Sequence, residues 1–205
     1  MKMNIVFDFG GVLFRWHPPS LLARLWPHRV ASAGVAGPVV AEFFQAYSGD
    51  WGLFDQGLIG IDETVTRIAA RTGWPQAEVA QVAVAVPEEL QLLPDTVALI
   101  GELKQAGHRL FFLSNMPEPY ADHLERSYPL AEWFEAGVFS GRVKQIKPGA
   151  DIFHTAVRQF GVAAESCIFL DDSLPNVEQA RALGWQAVHF TTATEARPRL
   201  AELMG

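Results

Sequence analysis

The chain has a single cysteine, no long hydrophobic run and no cluster of basic residues, and each absence excludes a class of protein. One cysteine cannot form an internal disulfide. Because Cys167 lies in an apolar run, we expect a small buried hydrophobe rather than a reactive thiol. Apolar stretches such as 110–113 have the length of a strand and are too short to span a membrane. No signal-peptide pattern precedes the first strand, so a reducing cytoplasm is the expected location.

The charge balance argues against polyanionic partners. The sequence has 16 basic and 23 acidic side chains, which give a net charge of −7. We therefore expect neither nucleic acid nor a membrane as a partner. The 6 histidines are scattered without the spacing of metal ligands. The 205 residues fit one large domain, or a core with an inserted subdomain, as a monomer or homodimer.

Strand-like segments are unevenly spaced along the chain. The first covers residues 5–7, and the next begins only near residue 110. The intervening pattern predicts four helices, the third of them capped by Asp62, over 20–26, 39–47, 62–71 and 76–86. We therefore predict an inserted helical cap subdomain over 17–87, with a core domain formed by 1–16 and 88–205.

After Pro94 the pattern alternates between helices and strands. Helices are predicted over 95–105, 150–160 and 176–183, and strands over 109–113, 138–140, 167–170 and 186–190. This alternation is typical of an α/β fold with a doubly wound parallel sheet.

Polar side chains follow three of the apolar strands: Asp8, the pair Ser114 and Asn115, and the pair Asp171 and Asp172. Because parallel strands end at one edge of the sheet, these side chains are expected to line one crevice. Three carboxylates would repel one another without a cation, and hard oxygen ligands suit Mg²⁺, which in proteins is commonly bound together with substrate phosphate.

The remaining polar residues fit the same chemistry. Lys147 supplies a cation for a phosphate or an attacking carboxylate, and the Ser114 hydroxyl and Asn115 amide stabilise negative oxygen. Together they favour covalent catalysis by Asp8. Taken singly, each feature also has an ordinary explanation as a turn, a helix cap or a solvated lysine. Ser114 has no His and Asp at a recognised spacing, which argues against a serine hydrolase.

The order of these residues resembles the haloacid dehalogenase-like hydrolase superfamily. Four segments carry the resemblance, namely 7–13, 113–115, 147–148 and 170–172. It implies a Rossmann-like core, a helical cap that closes over the active site, and Asp8 as the nucleophile. It also implies that Asp172 is the direct metal ligand, with Asp171 in the same acidic pair.

The resemblance assigns roles to the smaller residues as well. Phosphate binding falls to Ser114, Asn115, Lys147 and Gly11. Gly10 would bind the metal through its backbone carbonyl. Asn176 would have a supporting role, and it matches the branch that resembles α-glucose-1-phosphate phosphatases and the amino-terminal phosphatase domain of epoxide hydrolases.

Gly10 departs from the pattern of most phosphatases of this superfamily, which have a second Asp at that position as general acid and base. Such a group contributes about 10²–10⁴ to the rate. Its absence suggests a slow enzyme, a good leaving group, or a substitute from the cap or solvent.

Three functions remain open from the sequence. The leading one is a Mg²⁺-dependent phosphatase acting on a small organic phosphate, with a sugar phosphate as the expected substrate. A 2-haloacid dehalogenase with Asp8 as nucleophile needs neither metal nor a second Asp, although the acidic pair 171–172 argues against it. The third is a non-catalytic binding protein on the same fold. Candidates for substrate contacts are Trp51, Phe54, Asp55 and the loop after residue 115.

Overall fold

A parallel five-stranded sheet forms the centre of the computed structural model, which describes residues 2–205. The strands are β1 (Asn4–Phe7), β2 (Arg109–Ser114), β3 (Ala136–Phe139), β4 (Cys167–Asp171) and β5 (Gln186–His189). Their order is β3-β2-β1-β4-β5, and all four pairings are parallel. The α/β fold with a parallel sheet expected from the sequence is confirmed.

Six α-helices lie between β1 and β2. They are α1 (Pro18–Leu25), α2 (Gly37–Phe44), α3 (Asp50–Asp55), α4 (Ile61–Thr72), α5 (Gln76–Glu89) and α6 (Pro94–Gln105). The sequence pattern missed α3. It also extended α2 too far, because the backbone turns left-handed at residues 45–47. Asp62 does not cap α4, since Gly60 is the N-cap and Asp62 lies in the first turn. The division at residues 17 and 87 stays a prediction.

Six further α-helices follow β2. They are α7 (Glu118–Ser127), α8 (Leu130–Trp133), α9 (Ser140–Val143), α10 (Ala150–Phe160), α11 (Leu174–Ala182) and α12 (Ala193–Met204). The bounds of α10 match the prediction, whereas α7 and α12 were not predicted. Ser140 begins α9 instead of ending β3, because its side chain bonds the backbone of Asp55 and Met116.

The central strands are buried on both faces, as their unbroken apolar runs predicted. Ile5 and Phe7 pack into one hydrophobic cluster, and Val6 packs into a second cluster on the opposite face. The first cluster continues without a break into the helices after β1, through aromatic residues such as Trp51 and Phe54. The helical segment is therefore joined to the sheet by one core.

Cys167 is buried in the second cluster, as predicted. Its surroundings raise the pKa of the thiol to about 12, chiefly through burial, so the reactive thiolate is disfavoured. No helix in residues 2–205 combines the length and hydrophobicity that a bilayer crossing requires.

Candidate active site

Three carboxylates meet at the carboxyl edge of the sheet. Asp8 follows β1, Asp171 is the last residue of β4, and Asp172 comes next. The neighbouring strands pair Phe7 with Leu170, and the Asp8 amide donates to the Leu170 carbonyl at 2.9 Å. One oxygen from each of the three carboxylates lies within 4.8 Å of the others. Parallel pairing of β1 with β4 therefore brings together residues more than 160 positions apart.

Lys147 is buried between two of these carboxylates. Its Nζ lies 2.9 Å from Asp8 Oδ1 and 2.6 Å from Asp171 Oδ2, and it donates to the Leu113 carbonyl at 2.9 Å. Burial alone would lower the pKa of Lys147, but the charges of Asp171 and Asp8, together with their hydrogen bonds to the ammonium, outweigh burial and raise it. The side chain is therefore a fixed cation that holds Asp8 in place.

The two members of the acidic pair have different environments. Asp171 is fully buried and accepts hydrogen bonds from Lys147 Nζ, the Ser173 amide and the Asn176 side chain. Asp172 is exposed and lies against Gly11, where a Cβ would overlap its carboxylate. The residue as a whole is exposed, but its carboxyl group is partly desolvated, and this desolvation, followed by the charge of Asp171, raises the pKa of Asp172 to about 6. Asp172 therefore has the carboxylate that is free to bind a cation, while Asp171 is tied to Lys147 and Asn176.

Burial is also the largest effect on Asp8, and it raises the pKa of that carboxyl well above its usual range. Lys147 opposes the shift, while the charges of Asp171 and Asp172 add to it. The carboxylates of the cluster therefore disfavour one another's negative charge.

Ser114 and Asn115 differ in what their side chains do. Ser114 Oγ is buried and has no hydrogen-bond partner in residues 2–205. Asn115 forms two hydrogen bonds with the backbone of Lys147: its Nδ2 donates to the carbonyl at 3.0 Å, and its Oδ1 accepts from the amide at 2.9 Å. Ser114 therefore offers a free hydroxyl, and Asn115 positions the lysine.

The two glycines after Asp8 also differ. Gly11 has φ +73°, and its amide donates to the Phe14 carbonyl at 2.8 Å, which argues against a contact of that amide with phosphate. The backbone N–H and C=O of Gly10 form no hydrogen bond with any part of the chain that the structure describes. Gly10 therefore has a free backbone donor and a free backbone acceptor.

A cavity of about 430 Å³ opens above the carboxylates. Its floor includes Asp8, Lys147 and Asp172, and Asp55 of α3 also faces it. Its upper wall is aromatic and apolar, with Trp16, Tyr47, Trp51, Val86, Leu90, Met116 and Tyr120. Trp51 and Asp55, two of the expected substrate contacts, line this cavity, whereas Phe54 packs beside it in the core. The sequence had no signal for Trp16 or Tyr120, because only folding of the whole chain brings these two side chains to the cavity.

The family model of the haloacid dehalogenase-like hydrolases matches residues 3–184. A sesquiterpene phosphatase of Aspergillus oryzae is 26% identical to this chain over 201 residues, which cover 98% of the chain and 95% of that protein.

Two solved structures show the same fold. A haloacid dehalogenase family enzyme of Bacteroides thetaiotaomicron, in complex with magnesium and inorganic phosphate, is 21% identical with a TM-score of 0.69, over 92% of this chain and 93% of that one. The L-2-haloacid dehalogenase of Xanthobacter autotrophicus is 19% identical with a TM-score of 0.67, over 98% of this chain and 83% of that one. At these identities the likeness shows the fold alone.

Proposed function

The chain belongs to the haloacid dehalogenase-like hydrolases, and from that premise we propose that it is a Mg²⁺-dependent phosphatase with Asp8 as its nucleophile. The observation that carries the proposal is the charge of the site. Three carboxylates have oxygens within 4.8 Å of one another, and Lys147 is the cation between two of them. A divalent cation would neutralise the remaining charge.

The donor set fits Mg²⁺. Asp8, Asp172 and the free carbonyl of Gly10 supply hard oxygen ligands, with room for water. The Asp171 oxygens already accept from Lys147 and Asn176, so we assign Asp171 to the support of the site rather than to direct ligation. A bound Mg²⁺ would supply positive charge against the phosphate oxygens.

The residues of the chain divide the reaction between them. Lys147 holds the Asp8 carboxylate, whose free oxygen attacks phosphorus and forms an aspartyl-phosphate as the bond to the alcohol oxygen breaks. The unpartnered Ser114 hydroxyl and the free Gly10 amide donate to phosphate oxygens. Water then hydrolyses the aspartyl-phosphate and restores Asp8.

The cavity favours a phosphate of an apolar alcohol over the sugar phosphate expected from the sequence. Hydroxyls of a sugar need several polar partners, but two polar groups of the upper wall, the Trp16 indole and the Tyr120 hydroxyl, already donate to other parts of the chain. The Trp16 indole donates to Tyr47 Oη at 3.0 Å, and Tyr120 Oη donates to the Ala83 carbonyl at 2.6 Å. Aromatic faces remain for the substrate. The sesquiterpene phosphatase, which aligns along nearly its whole length, is consistent with this choice.

The test is phosphate release from farnesyl monophosphate, glucose 1-phosphate and p-nitrophenyl phosphate, with Mg²⁺ or with EDTA. We expect Mg²⁺-dependent release by the wild type, fastest from the apolar ester, and none by Asp8→Asn. The matched control is Asp151→Asn, which changes an exposed aspartate in the first turn of α10. A faster reaction with glucose 1-phosphate would reverse the substrate preference.

The same panel separates the alternatives. Halide release from 2-chloropropionate in EDTA, without phosphate release from any ester, would replace the proposal with dehalogenation. A non-catalytic role has no support in the family match or in the phosphatase-named relative.

A further inference from the structure

We propose that Asp55, on α3, is the general acid and base of the reaction, in the place left open by Gly10. The inference rests on the proposed phosphatase function. It concerns the proton that must reach the leaving oxygen and the proton that must leave the attacking water, for which the loop after Asp8 has no side chain.

Asp55 is the one carboxylate of the cavity without another task. Of the three that line the cavity in residues 2–205, Asp8 is held by Lys147 and Asp172 lies at the proposed cation site. The Asp55 residue is 7% exposed, and its carboxyl forms no hydrogen bond or ion pair with the described part of the chain. No histidine of that part lines the cavity. A buried acid that lines the same cavity as Asp8 and has no partner in the described part of the chain is available to the substrate.

The backbone of α3 is fastened to the catalytic core, so Asp55 is not free to move away from Asp8. Ser140 Oγ donates to the Asp55 carbonyl at 2.5 Å and accepts from the Met116 amide at 2.8 Å. Lys144 Nζ donates to the Gly57 carbonyl at 2.7 Å. These bonds join the end of α3 to the segments that follow β2 and β3.

The surroundings favour the protonated form of Asp55. Burial raises the pKa of Asp55 well above its usual range, and the charge of Asp8 adds to the effect. Other titratable groups around the cavity are Lys147, Asp172, Tyr47 and Tyr120. Burial raises the pKa of Tyr47 to about 12 and that of Tyr120 further, so both phenols remain neutral. Among these groups, Asp55 is therefore the one suited to donate a proton to the leaving oxygen.

The proton balance closes over the two half-reactions. In the first, an Asp8 oxygen bonds to phosphorus, the ester P–O bond breaks, and the proton of Asp55 passes to the leaving oxygen to give the alcohol. In the second, the Asp55 carboxylate takes a proton from water as its oxygen bonds to phosphorus. The bond between phosphorus and Asp8 breaks, which releases phosphate and restores both side chains.

The test compares wild type with Asp55→Asn in Mg²⁺, with two esters that differ in their need for an acid. Loss of the acid lowers the rate of n-hexyl phosphate hydrolysis by about 10²–10⁴-fold, because an alkoxide is a poor leaving group. With p-nitrophenyl phosphate, whose phenolate leaves without a proton, the variant gives a burst of one nitrophenolate per chain. Slow turnover follows, because the aspartyl-phosphate forms and then lacks its base.

The matched control is Asp50→Asn, the same change on the same helix, at a carboxylate that pairs with Arg71 outside the cavity. It keeps wild-type rates with both esters. In the Asp55→Asn background, Gly10→Asp restores part of the n-hexyl phosphate turnover. A Cβ at Gly10 meets the Trp16 side chain at 3.5 Å, an ordinary contact.

The outcomes separate the two proposals. Turnover of n-hexyl phosphate by Asp55→Asn within tenfold of wild type overturns the role of Asp55 and leaves the phosphatase standing, as does a variant that loses both turnover and burst. A wild type that releases phosphate from neither ester overturns the proposed function itself. If Asp55→Asn fails to fold, a wild-type series of esters decides: a shallow dependence of kcat/KM on leaving-group pKa supports a general acid, and a steep one overturns it.

Discussion

The buried Ser114 hydroxyl destabilises the folded protein unless a ligand forms a hydrogen bond with it. It is buried without a partner in residues 2–205, whereas the buried hydroxyl of Ser140 bonds both Met116 and Asp55. An unpaired buried hydroxyl destabilises a protein, and a paired one does not. Ser114 therefore fits a role in substrate binding, whereas Ser140 fits a role in the stability of the fold.

We expect Ser114→Ala to keep or raise the free energy of unfolding while lowering kcat/KM about 10- to 100-fold, the loss of one hydrogen bond to a charged group. Ser140→Ala should instead cost about 1–3 kcal/mol of stability, because two backbone groups lose their partner. Urea unfolding and phosphatase kinetics of both variants check this. A loss of stability in Ser114→Ala would contradict it.

Asp172 should make the metal-free protein sensitive to pH. Its folded pKa of about 6 lies above its ordinary value of 3.8, so the folded state favours the neutral form. The contribution of Asp172 to the free energy of unfolding is present below pH about 4 and is lost as the pH rises through about 6.

In EDTA, Asp172→Asn stays neutral and should become more stable than wild type as the pH rises from 4 to 7. Urea unfolding at pH 4, 5.5 and 7 measures the difference, and Asp151→Asn corrects for the loss of one negative charge. A difference that stays constant with pH would count against this assignment.

At the scale of elements, the short helix α3 is held to the core by glycine contacts as well as hydrogen bonds. Gly57 has φ +70°, and a Cβ there would overlap the Gly141 carbonyl oxygen and approach Lys144 Nζ. Gly73, at the end of α4, has the same φ and nothing within 4 Å of a Cβ. A comparison of substitutions at Gly57 and Gly73 therefore distinguishes the effect of backbone strain from the effect of displacing α3.

Gly73→Ala should cost about 1–2 kcal/mol of stability through the left-handed backbone alone, without a change in kcat. Gly57→Ala should cost more and should lower kcat, because the overlap moves α3 and Asp55 away from Asp8. Thermal unfolding and steady-state kinetics of the two variants test the difference. Equal effects in both would mean that the contact with Gly141 does not position α3.

For the whole molecule, a cation at the carboxylate cluster should stabilise the fold, because it removes repulsion between Asp8, Asp171 and Asp172. At a concentration 100 times the dissociation constant, Mg²⁺ should raise Tm by about 5–10 °C. Differential scanning calorimetry with Mg²⁺ and with EDTA measures the shift. Asp172→Asn should abolish it and Asp151→Asn should retain it; a shift that survives Asp172→Asn would place the cation elsewhere.

Sequence by itself determined the sheet and the composition of the site. Buried apolar runs predict parallel strands, and parallel strands place Asp8, Ser114 and Asp171 at one edge whatever their separation along the chain. Helix bounds were reproduced where glycine ends the helix, as in α10. The predicted end of α2 was too late, and α3 was not predicted at all. In this segment, packing of the chain after β1 overrides local preference.

Only the tertiary structure decided what each polar side chain does. Asn115 bonds Lys147, whereas the Ser114 hydroxyl has no partner in residues 2–205. Asp171 is bonded to Lys147, while Asp172 is exposed. Asp55 gains its place from Ser140, 85 residues away. Hydrogen-bond partners, burial and the pKa values that follow from them depend on groups brought together by folding, and no local pattern of residues specifies them.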